Sequence, residues 1–490
     1  MIESTMKREW PLVIFLTAIM VLKGVVWTLA FPLWQGPDED DHYAVIQFIG
    51  ENSRLPDEAD VYLPDEVALS RALADVGRLP YEPEQRQSFS HTAEGPNEAA
   101  FAALPAELRT SVEIKATGKL MHATPLYYMM AAVVYRLFDD GDLLARAHIQ
   151  RLLVVILSSP LVIVAYLIGR TLFPTNAMMR LTIPTLVAFH PMISEITAVI
   201  SVDGFFFVCY SLLIYLGILV FRDGFTRRYA VAIGVIFAVG VLIKPTLNGF
   251  APLIGLLVAY DWWRDKERRR EVVISAVLMA VIIALPVGWW MQRSWRLNGD
   301  LFYFNPVVEG HRILQNPFYD YRFWPHMVNY YKSVWGGIFV TWWAHFGWLD
   351  TAMPPWIYNL LRGLTVLAIG GLLVHLVRFR NRPPTTTAWQ QGQSVAPLPI
   401  WGFLALTIIL PVLLLQFYDL TFWWEYGVGR GLQGRYWLGT AVPMLAFFAL
   451  GLLLWLPVRL RPLGHIALRT GMVLFNFAAL WGYILPRYYL

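Results

Sequence analysis

Along this chain apolar residues come in long blocks separated by short polar connections, with one long polar stretch after the first block. Blocks of about 18–20 apolar residues match helices that cross a bilayer. The pattern predicts crossing helices at 11–31, 151–172, 181–201, 204–221, 229–246, 247–262, 271–291, 355–377, 398–418, 436–457 and 466–484. A further block, 120–138, is apolar enough to span, and the basic residues decide its fate. With 120–138 left out, the clusters at Lys7 and Arg8, Arg170 and Arg180, Arg222 to Arg228, Arg264 to Arg270, Arg378 to Arg382 and Arg459 to Arg469 all fall on one side. The positive-inside rule makes that side cytoplasmic. Counting 120–138 as a span would throw every later cluster outside. It is therefore read as an interfacial helix, whose Pro125-Leu-Tyr-Tyr128 start sets tyrosine at headgroup level.

The result is an all-α integral membrane protein, a single polytopic domain over 1–490 with about 11 transmembrane helices and a cytoplasmic N-terminus. Residues 32–150 form a first extracytoplasmic loop carrying interfacial helices. Residues 292–354 form a second, with an apolar piece near Val334 to Trp348 that is interfacial or re-entrant. Asp203, Lys244-Pro245 and Tyr418 to Arg435 lie on the same outer side.

Composition agrees with a membrane class and excludes others. Of 490 residues, 57% are hydrophobic and only 15% charged, with mean hydropathy +0.48, which rules out a soluble globule. The net charge of +4 conceals a split: residues 32–118 hold 17 acids against 6 bases, so this loop is no nucleic-acid surface. The single cysteine, Cys209, lies in an apolar run and supports neither a disulfide framework nor a thiolate metal site. The first block follows Lys7 and Arg8 without a small-residue cleavage site and reads as a retained signal anchor.

Chemistry concentrates at Trp34-Gln-Gly-Pro-Asp-Glu-Asp-Asp-His42, which leads into the apolar helical repeat of Val45, Ile46, Phe48 and Ile49. One or two acids at such a point would simply cap a helix. Four carboxylates and a histidine at a membrane edge exceed that need and point to a site. On the same side stand a further acid (Asp203), a second histidine (His122) and the cations Lys244 and Arg435. A carboxylate there suits a general base for a hydroxyl. Arginine and lysine suit a phosphate headgroup, the first as a fork and the second as a point charge. Each has a plain alternative: Asp203-Gly204 as a helix start, Lys244 before proline as a helix stop, and His190 with Glu195 as a buried polar pair. Gly429-Arg-Gly-Leu-Gln-Gly-Arg435 is glycine-rich, so its backbone can approach a ligand closely.

The order of these landmarks resembles the GT-C superfamily of membrane glycosyltransferases, which use polyprenyl-phosphate-linked sugars. Trp34-Gln-Gly-Pro-Asp-Glu-Asp-Asp-His-Tyr43 is similar to the Trp-x-Pro-Asp-Glu-x-x-Tyr stretch after that family's first span. His122-Ala-Thr-Pro-Leu-Tyr-Tyr128 is similar to its His-Pro-Pro-Leu-Tyr-Tyr segment, with Ala-Thr-Pro in place of Pro-Pro. Asp203 stands like its second outer acid, and Lys244-Pro and Gln433-Gly-Arg-Tyr436 like its phosphate-binding positions. The Pro-Asp-Glu-x-x-His and Gln-Gly-Arg-Tyr pair looks most like a bacterial branch of unknown function.

The resemblance implies a GT-C-type bundle in the bacterial inner membrane with an extracytoplasmic site. It implies inverting transfer of a sugar from a polyprenyl-phosphate donor to a cell-envelope glycan or lipid acceptor. Asp38 is the expected base, with Glu39 orienting it or sharing the role. His42, His122, Tyr127, Asp203, Lys244 and Arg435 are the expected substrate-binding residues. No cofactor is firmly implied, although a divalent cation at the acidic site is open. The alternatives are a transporter or flippase of lipid-linked sugars, against which the missing internal repeat and the loop position of the acids count, and a non-catalytic envelope scaffold.

Overall fold

The computed structural model describes residues 2–74, 98–118, 120, 124–299, 301, 323–381, 386–391, 394–426 and 432–489. In chain order the first half holds α1 (Ile2–Ala30), α2 (Glu39–Asn52), α3 (Asp65–Leu73), α4 (Glu98–Ala102), α5 (Pro125–Leu137), α6 (Leu143–Ser158), α7 (Pro160–Leu172), α8 (Ala177–Ala188), α9 (Pro191–Ile196), α10 (Asp203–Asp223) and α11 (Arg227–Ile243). The second half holds α12 (Ala251–Arg264), α13 (Arg269–Asn298), α14 (Phe323–Trp343), α15 (Pro355–Asn381), α16 (Thr386–Gln390), α17 (Leu398–Tyr426), α18 (Ala441–Leu454), α19 (Arg461–Ala479) and α20 (Leu485–Tyr489). The one sheet among the described residues is a hairpin of β1 (His345–Phe346) and β2 (Thr351–Ala352), antiparallel with Phe346 opposite Thr351.

The chain is an all-α membrane protein. Eight helical segments among the described residues are long and apolar enough to cross a bilayer: Glu9–Ala30, Leu143–Leu172, Asp203–Asp223, Arg269–Leu297, Pro355–Val374, Leu398–Phe417, Gly434–Leu454 and Val458–Tyr489. Each coincides with an expected span. The other three expected spans take shorter forms. Residues 229–246 become α11, of 17 residues, and 247–262 become a 3-10 turn (Pro245–Phe250) followed by the 14 residues of α12. The 181–201 stretch breaks in two because Pro191 excludes helical geometry at His190, whose ψ is 123°. The irregular backbone on either side of α9, like α9 itself, is buried from 189 to 202, the condition on which non-helical chain is tolerated at membrane depth.

α5 has 13 residues, about 20 Å of helix, too short to cross an apolar layer of about 30 Å. It packs on α2 instead. Side-chain bonds sort the bundle into two ends. At one end Arg180 pairs with Glu9 at 2.6 Å, Arg227 with Glu271 at 3.1 Å and Arg268 with Asp261 at 3.4 Å, so basic clusters distant in sequence gather there. The opposite end gathers the 32–42 loop, the start of α10, the end of α11, the β hairpin and Arg435.

Candidate functional site

α2 begins in an unusual way. Its N-cap residue, Asp38, sits in the left-handed region (φ 57°), and its side chain makes no capping bond to the helix. Its carbonyl still starts the helix, accepting from the His42 amide at 3.0 Å. Aspartate tolerates this backbone better than most residues, at a cost of about 1–2 kcal/mol. The carboxylate is thereby turned away from helix duty and toward Arg435, whose Nη2 lies 3.1 Å from Asp38 Oδ2.

The two residues that follow face elsewhere. Glu39 is fully buried and takes both Nε (2.6 Å) and Nη2 (2.7 Å) of Arg151, itself fully buried. Arg151 also donates to the carbonyls of Thr28 (2.9 Å), Phe31 (2.6 Å) and Pro32 (3.0 Å), and Glu39 accepts from the Ile200 amide at 3.0 Å. This carboxylate fastens the end of α1, α6 and the lead-in to α10 around α2. It is a brace rather than the expected partner of Asp38, since its oxygens are spent on Arg151 and the Ile200 amide and it has no access to a cavity. Asp40 is buried too, 2.7 Å from Arg71 Nε. Burial, reinforced by the charge of neighbouring Asp41, pushes its carboxyl up to about 7, while Arg71 pulls the other way.

A hollow of about 220 Å³ lies against the first face of α2, lined by Asp38, Asp41, His42 and Val45. Across it stand Ser201 and Asp203 at the start of α10, Lys244, Arg435 and Tyr436, with Tyr128 of α5 completing the wall. Lys244 caps the end of α11 in the extended conformation that the following proline demands (φ −148°, ψ 117°). Its ammonium pairs with Asp203 Oδ1. The Tyr436 ring neighbours both cations, with Arg435 at 5.3 Å and Lys244 at 5.6 Å from its centroid. His42 Nδ1 is 2.7 Å from Tyr128 Oη, and burial raises the Tyr128 phenol, which keeps its proton.

The structure therefore brings Asp38, His42, Asp203, Lys244 and Arg435 to one hollow. Tyr127 lies outside it, buried with no hydrogen bond to its hydroxyl among the described residues; its neighbour Tyr128 holds the wall position. His122 lies outside the described residues. No group of three or more His, Cys, Asp or Glu among the described residues is placed to hold a metal, and Asp38, Asp40 and Asp203 are each drawn to a cation of the protein. Asp41, Tyr128 and Tyr436 stand inside the motifs read from the sequence but received no role of their own there. Helical spacing was the available signal for Asp41: positions 38, 41, 42 and 45 share one face, whereas 39, 43 and 46 share another.

Of the glycines between 429 and 435, Gly429 and Gly431 lie outside the described residues, and Gly434 approaches protein. A Cβ on Gly434 would lie 2.2 Å from the Ile338 carbonyl and 2.3 Å from the Trp342 nitrogen. This glycine lets the 3-10 turn Gly434–Thr440 press against α14, and its amide donates to Thr341 Oγ1 at 2.5 Å. The close approach is to protein, and it sets Arg435 on the hollow. The next residues face an apolar cavity of about 540 Å³ walled by Trp342, Trp343, Ile409, Val412, Trp437 and Phe448. One short turn thus lines a charged hollow with Tyr436 and a greasy one with Trp437.

The β hairpin secures the loop before α2. Trp348 Nε1 donates to the Trp34 carbonyl at 2.9 Å, and Trp34 Nε1 to Ser70 Oγ at 2.9 Å. The Gly347 amide donates to Glu195 Oε1 at 2.5 Å, and Asp350 pairs with Arg487 at 3.0 Å.

The chain has no match among curated proteins. A family model described as a predicted membrane protein (DUF2142) matches residues 21–479, from within α1 to the end of α19, and the chain belongs to that family.

Proposed function

We propose that the protein is a GT-C-type glycosyltransferase that moves a sugar from a polyprenyl-phosphate donor to a cell-envelope glycan or lipid. The observation that carries this reading is the convergence of Asp38, Asp203, Lys244 and Arg435 on one hollow. The adjoining apolar cavity supports it, because a lipid-borne phosphate needs a greasy berth beside a cationic one. In this reading the acceptor oxygen bonds to the anomeric carbon with inversion, and its proton passes to Asp38. The bond between that carbon and the phosphate oxygen breaks, its electron pair leaving with the phosphate. Lys244 and Arg435 neutralise the charge that grows there. Asp203 and His42 position the substrates, and Glu39 holds the loop that presents Asp38. The reading includes about 11 crossings, with α8–α9, α11 and α12 as short or broken ones. The site opens on the extracytoplasmic face of the inner membrane, opposite the basic end.

The test is incubation of the purified protein, in lipid nanodiscs, with radiolabelled polyprenyl-phosphate sugars and envelope acceptors. Label should leave the lipid phosphate, and Asp38→Asn should stop it. An Asp38→Asn protein that is folded and transfers at the wild-type rate overturns the reading.

A second reading, transport of lipid-linked sugars, draws on the α8–α9 break, on the buried His190 and Glu195 within it and on the half-buried Lys23, which donates to the Ala188 carbonyl at 2.6 Å. It requires label to cross a vesicle membrane with the sugar–phosphate bond intact.

A further inference from the structure

Both cations of the hollow already hold an anion, and each anion is a carboxylate of the protein. Asp38 occupies Arg435 at 3.1 Å, and Asp203 occupies Lys244. The pairs differ from the braces elsewhere in the bundle. Glu39 and Arg151 are wholly buried and multiply bonded, whereas Asp38 retains 32% and Lys244 20% of its side-chain surface. Arg435 and Asp203 are nearly buried at 9% and 10%, so each pair has one wet side, and that side is where a better anion can enter. Arg435 and Lys244 both line the hollow of about 220 Å³, and the Tyr436 ring neighbours each of them, at 5.3 Å and 5.6 Å. A phosphate group carries more charge and more acceptor oxygens than a carboxylate and can engage both cations together.

We infer that Asp38 and Asp203 are placeholder anions, which occupy Arg435 and Lys244 until a phosphate group takes their place. The inference rests on the proposed reading and adds an order to it. With the hollow empty, the Asp38 carboxylate is neutralised and a poor base. Arrival of the phosphate displaces it, so that the base is released only when a donor is seated. The same exchange frees Asp203 on the opposite wall.

The experiment is equilibrium binding of a sugar-free phosphate to the full-length protein in nanodiscs, with farnesyl phosphate and inorganic phosphate as separate arms. Arg435→Gln should weaken binding. Asp38→Asn and Asp203→Asn should each strengthen it, by about tenfold, the factor that about 1.4 kcal/mol confers. A carboxylate that merely repels phosphate from nearby would also give tighter binding on removal, so the pair must be isolated. In an Arg435→Gln background, the gain from Asp38→Asn should vanish if the carboxylate acts by occupying that arginine, and persist if it acts by general repulsion. Persistence overturns the placeholder role. So does wild-type binding that depends on Arg435 but is unchanged or weakened in both Asn variants, an outcome that leaves the transferase reading standing. Failure of the wild type to bind phosphate in either arm sinks both. On the wild type alone, infrared difference spectra should show a carboxylate band shifting on phosphate addition, and a flat difference spectrum at saturating phosphate counts against the exchange. Equal binding in the two arms assigns the hollow to phosphate itself; preference for farnesyl phosphate assigns it to a lipid headgroup.

Discussion

Asp38 and Glu39 are neighbours in sequence with opposite fates, and the contrast between the two faces of α2 is instructive. Glu39 and Arg151 are both 0% exposed and bonded on every side. Asp38 meets Arg435 through one 3.1 Å contact at the edge of a water-accessible hollow. A buried ion pair that is fully bonded holds elements in place, and the desolvation of its charges makes it useless for exchange. A pair with one side wet has charge to offer. The same residue types thus build a clamp on one face and a reactive edge on the other.

Breaking the two faces should give different phenotypes. The largest effect belongs to the wet face: Asp38→Asn should cut sugar transfer by about 10²–10⁴-fold, the usual worth of a positioned base, with little change in thermal unfolding. Transfer assays beside unfolding midpoints check this. The dry face should fail by stability. Glu39→Ala strands the buried Arg151 guanidinium and should cost about 3–5 kcal/mol, read as a lowered unfolding midpoint or loss of folded protein from the membrane. Gly434→Ala should follow, at about 1–3 kcal/mol, because the added carbon meets backbone of α14 that cannot swing aside. A mild loss of phosphate affinity should accompany it as Arg435 shifts.

The smallest effect sharpens the comparison through pH. Asp40 lies on the dry face, and its carboxyl is raised from 3.8 to about 7, first by burial and then by Asp41. The folded state therefore holds this proton more tightly than the unfolded chain. The stability associated with it is complete below about pH 4 and is lost as pH rises toward 7. Unfolding midpoints should fall over that window in the wild type, and the slope should flatten in Asp40→Asn. A slope identical in both proteins would assign the titration to another group.

Much of this was legible in the chain, for identifiable reasons. Lys244 before Pro245 announces a helix end with an extended backbone, and the structure places it at the rim of the hollow. Block length located the eight long apolar helices, because bilayer thickness sets it. The basic residues separated α5 from the spans, and its 13 residues agree. The 181–201 block misled because hydropathy does not register the break that Pro191 imposes. The role of Glu39 was hidden because its partner stands 112 positions away, in a helix whose facing direction no local pattern reports. Gly434 announced a close approach without saying to what.

By itself, then, the sequence determined what local chemistry controls: membrane class, the position of the long helices, the helix end at Lys244-Pro245, and a concentration of acids after α1. Tertiary structure alone decided which acids matter for chemistry and which for architecture. That division depends on which side of α2 meets water and which meets Arg151. Only packing, with α1, α6 and the lead-in to α10 closing over one face and leaving the other open, sets the dielectric around each carboxylate. The pairing of Asp38 with Arg435, 397 positions apart, belongs to the same level, because the covalent chain places no limit on which distant cation reaches a given anion.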